Sequence, residues 1–296
     1  MPGNVIGSGN EMAMDKATKR SRERPLRNSV PGYVYMLLCS LLALFPLAWV
    51  IMSSFKTNAQ ILSSAVSLPT NVGLEGYKIA LQVSPILKYF ANSVIITLTS
   101  TLLNVFLVSM ASYVFARTQF RWKNTLFVLL SVSMVIPMTA LLQPVYQVIN
   151  GLKLGDSLPG LILVYMALNM PLTLLIMRAT FTGVPASLEE AAYIDGAGFM
   201  YTYLRVMLPV AKGGLASAAV LAFLNSWNEF TFALVLTKSA NVRTLPLSLS
   251  YFTSQFSFNY TALFAAITMA VLPSILVFAL FQEQVSQSLV VGAVKG

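Results

Sequence analysis

Ser187-Leu188-Glu189-Glu190-Ala191-Ala192-Tyr193-Ile194-Asp195-Gly196, with Val206-Met207-Leu208-Pro209 following at a fixed distance, occupies the polar break 182–212 between two long apolar runs. Ser187 and Glu190 have the S-x-x-E spacing of a capping box, which predicts a helix from Leu188. Leu188, Ala191, Ala192 and Asp195 then share one face at i, i+3, i+4 and i+7. That face is small and mostly apolar, so another protein can approach its backbone closely. Gly196 is placed to end the helix at C′. A second helical stretch over 199–207 leads to Pro209, where the chain is expected to bend back. An ordinary capped surface helix would also account for the box and one glycine.

The runs on either side set the class. The chain is 56% hydrophobic and 10% charged, with a mean hydropathy of +0.73, which excludes an ordinary water-soluble globule. A helix needs about 20 apolar residues to cross the hydrocarbon core. Six stretches qualify: 33–53, 90–115, 125–148, 158–178, 213–237 and 261–282. No Lys, Arg, Asp or Glu occurs between Lys88 and Arg117 or between Lys123 and Lys153, and only Glu229 interrupts the fifth span. The expected fold is an all-α polytopic membrane protein with six transmembrane helices. Pro46, Pro137, Pro144, Pro171 and Pro273 lie within spans and are expected to kink them.

Positive residues flanking the spans give orientation. Lys16, Lys19, Arg20, Arg22, Arg24 and Arg27 precede the first span. Arg117, Arg121 and Lys123, then Arg178, Arg205 and Lys212, and finally Lys295 fall on the same side. The opposite side carries fewer: Lys56, Lys78, Lys88, Lys153, Lys238 and Arg243. Both termini and the loop 182–212 are therefore expected on the cytoplasmic side of the membrane. The net charge of +9 is explained by this topology and not by nucleic acid, because the basic residues form no single patch with interleaved aromatics. Residues 1–30, basic and polar, are expected to be a disordered cytoplasmic tail, and 31–296 a single membrane domain. The first apolar run has no small-x-small cleavage site after it and reads as an anchor. The lone Cys39 allows no disulfide within the chain.

Histidine is absent from the sequence, which removes zinc-protease motifs, imidazole bases and His-ligated haem. There is no G-x-x-x-x-G-K-[ST] loop, so the chain is not expected to hydrolyse ATP, to be an enzyme, or to bind a metal or cofactor itself. Any uphill transport must draw on a partner or an ion gradient. The one ionisable group deep in a span is Glu229, within Asn225-Ser226-Trp227-Asn228-Glu229-Phe230. A charge at mid-helix costs roughly 2.5–3.5 kcal/mol on insertion scales, so Glu229 should face a cavity or a partner. Asn225, Asn228 and Glu229 are expected on nearly one helical face, with Trp227 offset. Carboxamides and a carboxylate bond hydroxyls, and indoles stack on sugar rings. Interhelical bonding is the plainer use of the same residues.

The loop closely resembles the EAA loop of ATP-binding-cassette importer permeases, EAA-x3-G-x9-I-x-L-P, with Val206 where that family usually has Ile. Trp227-Asn228-Glu229-Phe230 resembles the fifth-span signature of carbohydrate permeases of the maltose-permease type, specifically the smaller six-span subunit. The ending Val291-Gly292-Ala293-Val294-Lys295-Gly296 is similar to the G-[AG]-V-K-G terminus of the same group. These resemblances span residues 31–296. They imply a type I importer permease bundle in a bacterial cytoplasmic membrane, whose EAA coupling helices dock on an ATPase subunit. Ser187, Leu188, Glu190, Ala191, Ala192, Asp195, Gly196, Leu208 and Pro209 would serve coupling. Asn225, Trp227, Asn228 and Glu229 would lie in the substrate pathway, and Val294, Lys295 and Gly296 would contact the ATPase. The implied partners are a second permease in a heterodimer, two ATPase subunits holding ATP and Mg, an extracytoplasmic sugar-binding protein, and the lipid bilayer.

The expected function is thus the permease subunit of an ATP-driven, binding-protein-dependent sugar importer. An ion-coupled carrier using Glu229, a glycerol-phosphate or polyol permease, and a membrane protein that merely tethers a cytoplasmic partner are the alternatives.

Overall fold

The computed structural model describes residues 30–70, 72–252 and 259–293. The N-terminal tail and the terminal Val294, Lys295 and Gly296 lie outside the described residues. Among those residues every regular element is helical. The chain divides into two compact units, one up to Met52 and one from Ser53 onwards. The first contains α1 (Val30–Ser53), apolar throughout with Pro46 inside it. Its 24 residues reach about 36 Å, enough to cross a bilayer core.

The second unit is built on α4 (Ile86–Arg117) and α7 (Leu158–Gly183), its most extensively paired helices. Two short helices precede them, α2 (Asn58–Ser63), closed by a Thr57–Gln60 capping box, and α3 (Glu75–Val83). Both α4 and α7 are long apolar helices whose polar residues turn inward and bond across the pair. Thr173 Oγ1 donates to Asn104 Oδ1 at 2.6 Å, and Asn104 Nδ2 donates to the Met166 carbonyl at 2.8 Å. This brace sits beside Pro171, where the proline ring leaves the α7 backbone one amide short.

The third span is not a straight helix. α5 (Lys123–Val132) continues through a 3₁₀ turn at Ser133–Val135; Met138–Leu141 then leads into α6 (Leu142–Gly151). The halves meet at 105°. Pro137 explains the break, since it forces Ile136 into extended backbone and supplies no amide. Arg178 of α7 lies over the Phe127 ring at 3.9 Å and fastens α5 to the core.

After α7 come α8 (Ser187–Ile194) and the continuous helix α9 (Phe199–Val210). The centre of α9, Thr202–Met207, is π-helical, and the Leu208 amide bonds the Tyr203 carbonyl five residues back. Pro209, which has no amide to offer the Arg205 carbonyl, accounts for the changed register. The expected bend falls at Ala211, two residues past Pro209, where α9 turns by 80° into α10 (Lys212–Trp227). Then follow α11 (Thr231–Leu236), α12 (Leu245–Ser248) with a 3₁₀ turn at Leu249–Phe252, and α13 (Tyr260–Ala293), which contains Pro273.

The end of the bundle opposite α8 is tied down by polar caps. Asn92 Nδ2 donates to the carbonyls of Asn241 and Arg243 at 2.9 Å each, and Ser93 Oγ accepts the Leu245 amide at 2.8 Å. Asp156 Oδ1 accepts the amides of Ser239 at 2.9 Å and Lys238 at 2.8 Å. Those two N–H groups hold the Asp156 carboxyl below the usual carboxylate range. A depressed pKa stabilises above the ordinary carboxylate value, so this clamp is lost only as pH falls through the lowered one.

α7 and α10 approach so closely that a Cβ on Gly214 would overlap the Thr180 side chain, the small-residue contact by which membrane helices pack. Gly214→Val should lower the thermal unfolding midpoint of the detergent-purified protein. Adding Thr180→Ala should restore part of the loss, and an unchanged midpoint in Gly214→Val would contradict this packing.

Candidate functional site

α8 begins one residue earlier than its sequence suggests. Ala186 is the N-cap and makes no side-chain bond, so the Ser187–Glu190 capping box does not form. The first amides are satisfied by backbone: Leu188 by Pro185 at 3.3 Å, and Glu189 and Glu190 by Ala186 at 2.9 and 3.0 Å. Ser187 therefore lies inside the first turn, where its hydroxyl cannot cap. Glu190 is left exposed and makes no capping bond.

The C-terminal end forms as expected. Gly196 has φ +82°; its amide bonds the Tyr193 carbonyl at 3.0 Å, and the Ala197 amide bonds Ala192 at 2.9 Å. This is the paired closure of a Schellman turn. A Cβ at Gly196 would meet nothing within 4 Å, so the requirement for glycine is conformational and the space beyond it is open.

Leu188, Glu190, Ala191, Asp195 and Gly196 are exposed, and Ala192 is half-buried. Tyr193 and Ile194, which the spacing argument passed over, are exposed as well, Ile194 to 86%. A helix of two turns lying on a surface hides only one narrow strip. Here that strip is centred on Glu189, so the exposed face is wider than an i, i+3, i+4 stripe. Leu208 packs on the cluster of Tyr113, Phe181, Tyr203 and Met207 beneath the loop. Pro209 is exposed. These two residues root the loop and do not share the exposed face of α8.

Sequence reasoning also missed the anchor. Glu189 Oε1 accepts from Arg117 Nε at 3.1 Å, and Arg117 Nη2 donates to the Val184 carbonyl at 2.6 Å. The side chains are 16% and 10% exposed for Arg117 and Glu189, and this is the one salt bridge among the described residues. Arg117 ends α4, and Val184 is the last residue before the loop. One guanidinium thus joins a core helix to both sides of the entry into α8. Tyr113, a turn earlier in α4, packs its ring on Phe199 at 4.9 Å and on Tyr203 at 5.3 Å. Ser109 and Tyr203 hydroxyls meet at 2.7 Å. The only trace of this in the sequence is a second glutamate beside Glu190.

The fifth span stops at Trp227 and restarts at Thr231. Asn225, Asn228 and Glu229 therefore do not lie on one helical face, because Glu229 is in the unwound step. Its Oε1 accepts the Phe232 amide at 2.7 Å, and Oε2 accepts the Ala233 amide at 3.0 Å and the Tyr165 hydroxyl at 2.7 Å. Glu229 caps α11 and ties it to α7. Trp227 is buried, donates from its indole nitrogen to the Ala270 carbonyl at 2.9 Å, and stacks on Phe223. Asn225 donates to Asn169, which donates to Ser226. Asn225 and Asn228 nevertheless keep exposed surface.

Residues 109–291 match the family of binding-protein-dependent transport system inner membrane components. The chain is 33% identical over 275 residues to the diacetylchitobiose uptake system permease protein NgcG of Streptomyces coelicolor, covering 92% of this chain and 91% of that protein. It is 32% identical to the arabinooligosaccharides transport system permease protein AraQ of Bacillus subtilis, covering 89% and 94%. Its fold matches a chain of a bacterial ABC transporter involved in the import of the acidic polysaccharide alginate. That match has a TM-score of 0.76 at 22% identity and covers 88% of this chain and 98% of the other.

Removing one partner of a fully buried ion pair costs about 3–5 kcal/mol, because the other charge is left unpaired, and this pair, with Arg117 16% exposed, should cost less. Glu189→Gln should therefore loosen the loop, raising the rate of proteolytic nicking within 185–198 in the purified protein. Glu190→Gln should leave that rate unchanged. Equal rates for the two variants would contradict the anchoring role of Glu189.

Proposed function

The chain belongs to the family of binding-protein-dependent transport system inner membrane components, and on that premise we propose that it is one permease subunit of an ATP-driven sugar or oligosaccharide importer. It forms half of the translocation pathway and takes its energy through α8. The observation that carries this reading is α8 itself. It is a short helix with Leu188, Ala191, Tyr193 and Ile194 exposed, closed by Gly196 and fixed to the core by a buried ion pair. Exposed apolar side chains on a firmly rooted projection suit docking against a second protein. The neighbouring permeases for diacetylchitobiose and arabinooligosaccharides support a carbohydrate cargo.

In this reading α8 seats in a cleft on an ATPase subunit, with α9 as its root. Closure of the ATPase pair around ATP and Mg moves both clefts, and Arg117 carries that displacement into α4. A second permease completes the pathway, and an external sugar-binding protein delivers the cargo. The loop and both termini face the cytoplasm, as the positive residues around them require. An ion-coupled carrier has less support, because both oxygens of Glu229 are engaged in capping α11.

Gly196→Asp tests the docking role. The side chain meets open space, and although φ +82° strains any residue with a Cβ, Asp is among those that adopt the left-handed region most readily, so the protein should still be recovered from the membrane. Sugar uptake into proteoliposomes carrying the complete assembly should fall at least tenfold, with less ATPase subunit retained on the permease. Normal uptake at normal complex yield would count against docking through α8. Uptake by wild-type chain alone, without ATP or an ATPase subunit, would overturn the importer reading itself.

A further inference from the structure

We infer that the corner between α4, α5 and α7, beside the loop bearing α8, is a binding site for an anionic phospholipid of the cytoplasmic leaflet, with Arg121 and Arg178 holding its phosphate. The inference rests on the importer reading only for the side of the membrane. The Arg117–Glu189 pair joins the last residue of α4 to α8, so the turn after α4 lies at the same end of the bundle as that loop. α5 then starts at Lys123 and buries none of its residues. Trp122, Leu126, Leu129 and Leu130 share one face at i, i+4, i+7 and i+8. All four are exposed, Trp122 to 60%. An apolar face with an indole at its headgroup end is how membrane helices meet lipid.

Three cations gather at that end. The rings of Phe120 and Phe127 both pack on Phe115 of α4, at 5.8 and 6.0 Å, which holds the turn and the start of α5 together. Arg121 follows Phe120 in the chain, and its guanidinium lies 5.7 Å from the centre of the Trp122 ring. Arg178 reaches the same aromatic group from α7, 3.9 Å over Phe127. It precedes the end of α7 at Gly183 by roughly 7.5 Å along the axis, and Phe127 lies about 6 Å into α5. Both therefore sit at the depth where a long basic side chain bends towards the headgroups. Lys123 Nζ donates to the Thr118 carbonyl at 2.9 Å and has further hydrogens to give.

No carboxylate answers these charges. The one salt bridge among the described residues spends Glu189 on Arg117, and Arg178 Nε is buried with no hydrogen-bond acceptor among them. A guanidinium laid flat on a ring can still donate from its edge to the oxygens of a phosphate. The occupant must therefore carry an anion at headgroup level and hydrocarbon beside Leu126 and Leu129. A phospholipid combines the two in one molecule. A zwitterionic headgroup would bring a further cation among three, so a headgroup of net negative charge fits better. Basic pockets between membrane helices on the cytoplasmic side hold such lipids.

The test is lipid retention by the full chain, purified in a neutral detergent and read by native mass spectrometry. The probes are dioleoylphosphatidylglycerol, dioleoylphosphatidylcholine and inorganic phosphate. Wild type should retain phosphatidylglycerol at least fivefold more than phosphatidylcholine at equal concentration. Arg121→Gln, at an exposed turn position where folding is not at stake, should lower phosphatidylglycerol retention about fivefold, the effect of one cation near a membrane surface. Adding Arg178→Gln should remove the preference. Arg205→Gln, at an exposed cation of α9, should leave it unchanged. Equal retention of the two lipids, an unchanged preference in the double variant, or the same loss in Arg205→Gln would overturn the site. Displacement of the lipid by millimolar inorganic phosphate would overturn it in favour of a free anion. A preference seen in the isolated chain and lost in the complete assembly would overturn it in favour of a subunit contact. No sugar or ATP enters this readout, so its failure leaves the importer reading standing, and failure of sugar uptake leaves the lipid site standing.

Discussion

A backbone amide or carbonyl inside a membrane has no water to turn to, and this one constraint accounts for most of what is irregular here. Several departures from straight α-helix are met by a named group or by a change of register. The α7 backbone near Pro171 is braced by Asn104. The α9 register shifts to π ahead of Pro209. The first amides of α11 are met by Glu229, placed by an unwound step three and four residues earlier. The same carboxylate then bonds Tyr165 of α7. A charge that would be costly in a continuous span is well accommodated at the start of a helix, where free N–H groups and the helix dipole both favour it.

The opposite need governs α8. On the proposed function its surface is offered to another protein and must stay exposed, yet a loop that flexes under load would transmit little. The structure reconciles the two by separating adjacent residues. Glu189 turns inward to Arg117, while Glu190 turns outward. The aromatic cluster of Tyr113, Phe181, Phe199 and Tyr203 fills the space below. The exposed face of α8 is therefore held in place by a buried neighbour in sequence, Glu189, and the ion pair ends on α4, a core helix of 32 residues.

These pairs show what the sequence reveals and where it stops. Apolar length and the gaps between charges pointed to the long helices: among the described residues four are long and apolar enough to cross a membrane by themselves, and two bent pairs would bring the number to six. Length is a property of the run itself, set against hydrocarbon thickness. Gly196 was legible for a similar reason: a left-handed C′ position selects glycine locally. The capping box was not, because Pro185 and Ala186 could supply carbonyls to the first turn in place of Ser187. Nothing in S-x-x-E reports that competition. Treating 213–237 as one helix also misplaced Glu229. Polar residues on both sides of Trp227, Asn225 and Ser226 before it and Asn228 and Glu229 after it, are compatible with a polar face or with an unwound step, and only contact with Tyr165 of another helix distinguishes them. Trp227 stayed open to two readings in the sequence, because an indole that stacks on sugar and one that bonds Ala270 have the same signature.

The two ends of α10 link these observations. Its first turn adjoins the bend after α9, and through α9 it is rooted to the loop that bears α8. Its last turn ends in the break that exposes Asn225 and Asn228. Between them Gly214 brings α10 against α7, and Ser217 Oγ bonds the Gln284 carbonyl of α13 at 2.5 Å. A helix gripped along its length moves as a rod and does not bend. Displacement at the α8 end would then appear at the break as a change in the spacing of Asn228 and Phe230 from Leu249 and Ser250. Those residues belong to the segment after α11, which Asn92 and Ser93 tie to the far end of α4. The break thus lies between a helix rooted near α8 and a segment anchored at the other end of the bundle.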